Sequence, residues 1–186
     1  MTNERELKLA LDDFAALRER LRCAGALREH AENLEDNTLW DRKESLRSAG
    51  SLLRVRRDSR GSRLTFKGPA VFEDGIKIRA EHETAVADEG SLTAILQALG
   101  YAPVRRYQKY REEWLLDDVV VALDRTPMGN FVEFEGEAAL AVAARCDCDP
   151  TAALAADYLA LYDAYREAHP GAPADMLFVD AEGRDG

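Results

Sequence analysis

Apolar and charged residues alternate one by one in stretch after stretch of this chain, and in its middle the charged partner is mostly basic. Leu53-Arg54-Val55-Arg56 and Leu64-Thr65-Phe66-Lys67 are two such stretches, joined through Ser59-Arg60-Gly61-Ser62, a hairpin turn by its composition. Ile76-Lys77-Ile78-Arg79 and Lys109-Tyr110-Arg111 repeat the pattern. A period of two is the strand period, so each stretch has one apolar and one charged face. Arg54, Arg56, Lys67, Arg79, Lys109 and Arg111 then form rows of one sign, and Arg63 and Lys77 share their parity. Two arrangements fit. An open sheet would pack its apolar side on helices and leave the charges in water. A closed barrel with the charged rows inward would make a tunnel of guanidinium and ammonium groups, whose natural partners are phosphate oxygens.

The acids show the same spacing. Glu4-Arg5-Glu6-Leu7-Lys8, read as a strand, puts Glu4, Glu6 and Lys8 on one face, and Phe131-Val132-Glu133-Phe134-Glu135 does so for Glu133 and Glu135. Carboxylates about 6 to 7 Å apart repel by roughly 2 to 3 kcal/mol at an effective dielectric near 20, unless a cation or a proton sits between them. Either these strands are solvated, or their acids meet a divalent ion. Clustered oxygen ligands suit Mg²⁺ or Mn²⁺, which bind a few carboxylates together with substrate phosphates.

With 186 residues, the chain has room for one sizeable core. A net charge of -10 argues against a general nucleic-acid binder, but the charge is unevenly laid out. From Arg42 to Arg111 there are 15 bases and 8 acids; from Glu112 onward there are 4 bases and 17 acids. No apolar run approaches the roughly 18 residues of a membrane span and the N-terminus is charged at once, so the expectation is a cytoplasmic protein with no membrane partner. Cys23, Cys146 and Cys148 suggest no disulfide framework, and Cys146-Asp147-Cys148 lacks a second ligand pair for zinc. His30, His82 and His169 are scattered and read as surface residues.

Between the strands, Asp12 and Asp13 are expected to cap a helix carrying Phe14, Leu17 and Leu21, with Gly25 as its stop. Ser91 is expected to cap a second helix that ends at Gly100. Residues 31–48 are polar and give no clear element beyond a short strand at Thr38-Leu39-Trp40-Asp41, and Gly68-Pro69 opens a loop through Gly75. Strands follow at Tyr107 to Leu115, Val119 to Asp124 and Phe131 to Glu135, then a helix from Ala138 to Arg145. Asp149, with Pro150 at the first position, is expected to open a last helix running to about His169, with Tyr158 in its packed stripe. Residues 1–169 would form one domain and 170–186 a tail, in which Met176-Leu177-Phe178-Val179 adds a short packed segment.

Taken in order, these residues resemble a known family. Glu4-Arg5-Glu6-Leu7-Lys8 is similar to the ExExK signature of the CYTH superfamily, the triphosphate tunnel metalloenzymes. Leu53-Arg54-Val55-Arg56, Leu64-Thr65-Phe66-Lys67-Gly68-Pro69, Arg79-Ala80-Glu81-His82-Glu83, Lys109-Tyr110-Arg111, Leu123-Asp124 and Gly129-Asn130-Phe131-Val132-Glu133-Phe134-Glu135 continue the match. Asp157-Tyr158-Leu159-Ala160-Leu161 resembles the closing Ser-Tyr-x-x-Leu-Leu helix of the class IV adenylate cyclase-like branch, with Asp in place of Ser. The strand that should open with tyrosine has Leu39-Trp40 before Asp41 instead.

The resemblance implies an α+β fold, an antiparallel eight-stranded β-barrel forming a triphosphate tunnel with helices packed outside. It implies that Glu4, Glu6, Glu133 and Glu135 hold Mg²⁺ or Mn²⁺, with Asp124 as a further ligand. Lys8, Arg54, Arg56, Lys67, Arg79, Lys109 and Arg111 would grip the triphosphate, and Glu4, Glu6 and Lys8 would stand at the chemistry. Glu81 and Glu83 fall in a motif whose acids orient the basic residues or approach the metal. The implied substrate is ATP, cyclised to cyclic AMP and pyrophosphate, or tripolyphosphate or a nucleoside or thiamine triphosphate that is hydrolysed. A non-catalytic polyphosphate-binding module is the alternative outside enzymology. The chain is expected to act as a monomer or homodimer without nucleic acid.

Overall fold

A computed structural model describes residues 2–178. The strands are β1 (Thr2–Leu11), β2 (Leu27–Asp41), β3 (Leu52–Asp58), β4 (Gly61–Lys67), β5 (Val71–Glu73), β6 (Ile76–Val86), β7 (Ala102–Leu116), β8 (Val119–Thr126) and β9 (Gly129–Glu135). The helices are α1 (Ala15–Cys23), α2 (Ser45–Ser48), α3 (Glu89–Ala98), α4 (Ala139–Arg145) and α5 (Tyr158–Ala168), with a 3-10 turn at Pro150–Ala152. The strands run in the order β1-β9-β8-β7-β2-β3-β4-β6, and β1 pairs back onto β6, so eight antiparallel strands close into a barrel. The short β5 lies on the part of β6 that β4 does not reach.

The pairing of β1 with β6 closes the sheet, and the alternation then sorts its two faces. Leu7, Leu9, Val121, Leu123, Val132 and Phe134 point out of the barrel into one apolar core beneath α1 and α4, where Leu17, Leu21, Val142 and Ala143 meet them. A second cluster joins Leu39, Tyr107, Phe131 and Tyr158 to Tyr162 of α5 and to Met176. A third packs α3 against Trp40 and Val55 through Leu96. With the outer faces buried against helices, the charged faces are left to line the lumen.

Several local expectations are corrected. The segment around Thr38 is part of a 15-residue strand, β2, which pairs with β7 over its whole length and is interrupted by register shifts at Arg28/His30, His30/Asn33 and Leu39/Trp40. It gave no strand signal because both of its faces are polar, and its inward face carries Glu35 and Asn37. Val71–Glu73 in the expected loop forms β5. Asp88, not Ser91, caps α3, accepting from the Ser91 N–H at 3.0 Å. Asp13 accepts from the Ala15 N–H at 2.7 Å, while Phe14 holds the N-cap position of α1.

The helix expected from Asp149 to His169 is broken. Asp149 caps only the turn at Pro150–Ala152, and α5 starts afresh with Asp157 accepting from the Ala160 N–H at 2.9 Å. The intervening residues lie along β1: the Leu154 N–H donates to the Lys8 carbonyl at 2.8 Å, and Lys8 Nζ donates to the Ala156 carbonyl at 3.4 Å. A continuous helix would spend those backbone groups on itself. Beyond α5 the chain returns to β7, where Met176 is fully buried and its carbonyl accepts from the Gln108 N–H at 2.8 Å. Val179 and the residues after it lie outside the described residues.

Candidate functional site: the tunnel

The barrel encloses a cavity of about 600 Å³. Strand parity places Glu4, Glu6, Lys8, Arg54, Arg56, Lys67, Lys77, Arg79, Glu81, Glu83, Lys109, Arg111, Glu133 and Glu135 on its lining. β1 and β6 bring Glu4 beside Arg79 and Glu6 beside Lys77; β1 and β9 bring Glu6 beside Glu135 and Lys8 beside Glu133.

The basic rows are not bare, because a carboxylate faces nearly every cation. Lys67 Nζ lies 2.6 Å from Glu4 and 2.8 Å from Glu81. Lys8 lies 3.3 Å from Glu6 and 3.2 Å from Glu133, and its ammonium sits 4.2 Å from the centre of the Tyr158 ring. Lys77 reaches Glu6 at 3.7 Å. Arg54 donates to the Tyr107 hydroxyl at 3.3 Å and stands 3.9 Å from Glu83. Arg56 is 3.6 Å from Glu83, and Arg63 pairs with Glu83 at 3.1 Å on the exposed side. Arg79 alone among these basic residues has no ion pair with a described carboxylate. It donates through Nε and Nη2 to the Gly68 carbonyl, at 2.9 and 2.6 Å, and its burial lowers its proton affinity.

Three acids converge. Oxygens of Glu4, Glu6 and Glu135 lie within 4.8 Å of one another. Burial would raise the Glu4 carboxyl, but the Lys67 ammonium outweighs it and holds the group below its ordinary value. Burial first, then the like charges of Glu133, Glu4 and Glu6, push Glu135 up to about 7 against the pull of Arg111. One oxygen of Glu4, Oε2, is buried and has no hydrogen-bond partner among the described residues. Glu133 and Asp124 are not in this group. Glu133 is held by Lys8 and, in a close contact, by Arg111. Asp124 is fully buried and accepts from Lys109 at 2.9 Å, from Arg111 at 2.7 and 2.6 Å, and from the Tyr158 hydroxyl at 2.6 Å. With four donors already on its two oxygens, Asp124 fixes Lys109 and Arg111 in place.

The sequence reading missed three contributors to the site. Glu35 on β2 is fully buried, 3.1 Å from Arg56 and 3.7 Å from Lys109. Burial alone would raise its carboxyl, but Lys109, Arg111, Arg56 and Arg54 together bring it down to about 2. Its signal was available once β2 was extended, since Glu35 shares parity with Leu39. Tyr158, read as packing, uses its ring to cover Lys8 and Lys109 and its hydroxyl to hold Asp124. His30, read as surface, lines the cavity beside Glu113 at 3.7 Å.

A ring of basic rows with an acidic group inside an eight-stranded closed barrel is the architecture expected from the resemblance, and the CYTH domain family matches residues 2–144. The chain belongs to the CYTH domain family. Among solved structures, a candidate adenylate cyclase from Vibrio parahaemolyticus superposes with a TM-score of 0.76 at 19% identity, over 86% of this chain and 97% of that one. A protein from Pyrococcus horikoshii superposes with a TM-score of 0.69 at 20% identity, over 83% and 96%. A candidate adenylyl cyclase from Hippeastrum, described as having a dominant triphosphatase activity, gives 0.63 at 15%, over 87% and 96%. At these identities the likeness establishes the CYTH tunnel fold. No curated protein matches the sequence significantly. No helix among the described residues is long and apolar enough to cross a membrane.

Proposed function

We propose that this CYTH protein is a metal-dependent enzyme acting on a triphosphate bound in the tunnel, of the class IV adenylate cyclase-like kind. The observation that carries this reading is the meeting of Glu4, Glu6 and Glu135 in the same cavity as the basic rows, with one Glu4 oxygen buried and unpartnered. Oxygen-only donors around an unshared buried carboxylate oxygen fit Mg²⁺ or Mn²⁺. Glu4, Glu6 and Glu135 would hold the ion, which when bound lowers the pKa of a nucleophile and neutralises phosphate charge.

The chain's own residues do the rest. Arg79, which has no ion pair with a described carboxylate, and Arg54, whose nearest described one is 3.9 Å away, are the cations most ready to take a phosphate oxygen. Lys67, paired with Glu4 and Glu81, and Lys8, paired with Glu6 and Glu133, would offer their ammonium groups to substrate oxygens if those glutamates held the ion. Glu35 and Asp124 hold Arg56, Lys109 and Arg111 in place by ion pairs and hydrogen bonds, so the wall is set before charge develops on the phosphates. Lys8, 3.3 Å from Glu6 and 3.2 Å from Glu133, would steady these acids beside the ion.

Two reactions use this arrangement. A ribose 3′-oxygen attacking the α-phosphorus gives cyclic AMP and pyrophosphate; water attacking the terminal phosphorus releases orthophosphate. The Hippeastrum relative favours keeping the second reading beside the first, because the same fold supports a dominant triphosphatase activity there. Incubating the protein with ATP, tripolyphosphate and thiamine triphosphate, each with Mg²⁺ or Mn²⁺, and identifying the products decides between them. Tight metal-independent tripolyphosphate binding without turnover would mean a binding module instead.

A further inference from the structure

β7 runs past one of its partners. β2 pairs with it back to Ala102, but β8 pairs with it only from Tyr110 to Leu116, so the stretch before Tyr110 has a strand on one side and a seam on the other. Residues 170–178 fill that seam. The Met176 N–H donates to the Arg106 carbonyl at 3.1 Å, the Met176 carbonyl accepts from the Gln108 N–H at 2.8 Å, and the Arg106 N–H donates to the Asp175 carboxylate at 2.9 Å. Met176 thus bridges in parallel to Tyr107 and satisfies backbone groups that a strand edge leaves open. The Tyr162 hydroxyl on α5 donates to the Pro173 and Asp175 carbonyls, at 3.1 and 3.3 Å, and ties the same segment to the helix. The CYTH match ends at residue 144, so α5 and this segment both lie outside it.

The Met176 side chain has no solvent exposure and belongs to one buried cluster with Leu39, Tyr107, Phe131, Tyr158 and Tyr162. Tyr158 of that cluster lines the cavity. The centre of its ring lies 4.2 Å from Lys8 Nζ and 5.0 Å from Lys109 Nζ, and its hydroxyl donates to Asp124 at 2.6 Å. A ring steadies a cation only while its own position is fixed. α5 carries Tyr158 and Tyr162 one turn apart, and the segment bearing Met176 straps that face of the helix to the barrel. We propose that Met176 is a positioning residue that holds Tyr158 in place, so that the grip of Lys8 and Lys109 on a bound anion depends on a segment outside the matched domain. This inference rests on the tunnel being a triphosphate site, and it assigns a role in that site to a residue that does not line the cavity.

The test is a double-mutant cycle on tripolyphosphate binding, read by calorimetry in the full chain well below the Tm of each variant. Met176→Ala should raise Kd about fivefold at unchanged stoichiometry, as the ring loosens over its cations. Met176→Leu, which keeps the volume, should stay within about twofold of wild type. Tyr158→Leu should raise Kd about tenfold, and Met176→Ala added to it should cost less than about twofold more, because its effect passes through the ring. Additive losses in the double variant would overturn the proposal, and so would an unchanged Kd in Met176→Ala. Should Met176→Ala not fold, Tyr162→Phe, which releases the Pro173 and Asp175 carbonyls and keeps its ring, takes its place in the cycle with an expected rise of about threefold. If the wild type binds no tripolyphosphate, the triphosphate reading fails, and fluorine NMR of the fluorotyrosine-labelled protein decides the role of Met176. The resonance missing from Tyr158→Phe should shift or broaden in Met176→Ala and return in Met176→Leu; a resonance that stays in place would overturn the proposal.

Discussion

Lys67 and Glu4 sit 2.6 Å apart in the tunnel, so an amine suited to phosphate and a carboxylate suited to metal neutralise each other. Both are largely buried, at 12% side-chain exposure each, and the pair must open for either to meet its own ligand. Lys67→Met should therefore act in two directions. Metal affinity measured without substrate should rise several-fold, because Glu4 loses its competing ammonium, while tripolyphosphate affinity should fall by roughly tenfold or more. Titration calorimetry with Mn²⁺ alone and with tripolyphosphate alone reads both. A loss of metal affinity in this variant would show that Lys67 supports the acidic group and does not compete with it.

Glu35 should make the fold sensitive to acid. Its folded-state value of about 2 lies below the ordinary 4.5, so the stability it supplies is complete above pH 4.5 and is lost as pH falls through about 2. That difference corresponds to about 3 kcal/mol. In urea unfolding, Glu35→Gln should be less stable than wild type at pH 7, and the gap should narrow as pH drops below 4.5. A gap independent of pH would mean that packing, not charge, accounts for the effect.

Asp157 should be replaceable by serine but not by alanine. Its carboxylate caps α5 at the Ala160 N–H, 2.9 Å away, and α5 carries Tyr158 onto Lys8, Lys109 and Asp124. Asp157→Ala should cost about 1 kcal/mol in thermal unfolding, and Asp157→Ser only a few tenths. This explains why Asp can stand where the family's closing helix has Ser: both side chains accept the same backbone proton. An equal loss in both variants would remove the cap as the reason.

The barrel was legible wherever one strand face was apolar and the other charged, as at Leu53-Arg54-Val55-Arg56 and Phe131-Val132-Glu133-Phe134-Glu135. Parity put Glu4, Glu6, Lys67, Arg79 and Lys109 on the charged faces of their strands, and the family resemblance implied that these faces close on one lumen. β2 was not legible because Glu35 and Asn37 on its inner face and Asp36 and Thr38 on its outer face erase the alternation; pairing with β7 and β3 makes it a strand. Pairing distances were also out of reach. Sequence spacing does not show that Asp124 is enclosed by Lys109, Arg111 and Tyr158 while Glu135 joins Glu4 and Glu6, since that depends on barrel stagger. The break before α5 was hidden for a similar reason, as only contact with Lys8 claims the backbone of Leu154 and Ala156.

The joint claim on the tunnel by metal and triphosphate is tested most directly by phosphate or pyrophosphate release from the preferred triphosphate, followed with Mg²⁺ or Mn²⁺ and with chelator. Wild type, Glu4→Gln and Glu135→Gln are compared. Turnover should require the metal and should fall by roughly a hundredfold or more in each variant, as loss of preorganised charge at a reacting phosphate does. Tm should stay within a few degrees of wild type. Turnover that survives chelation, or that both variants retain, would contradict the assignment of the acidic group to the metal.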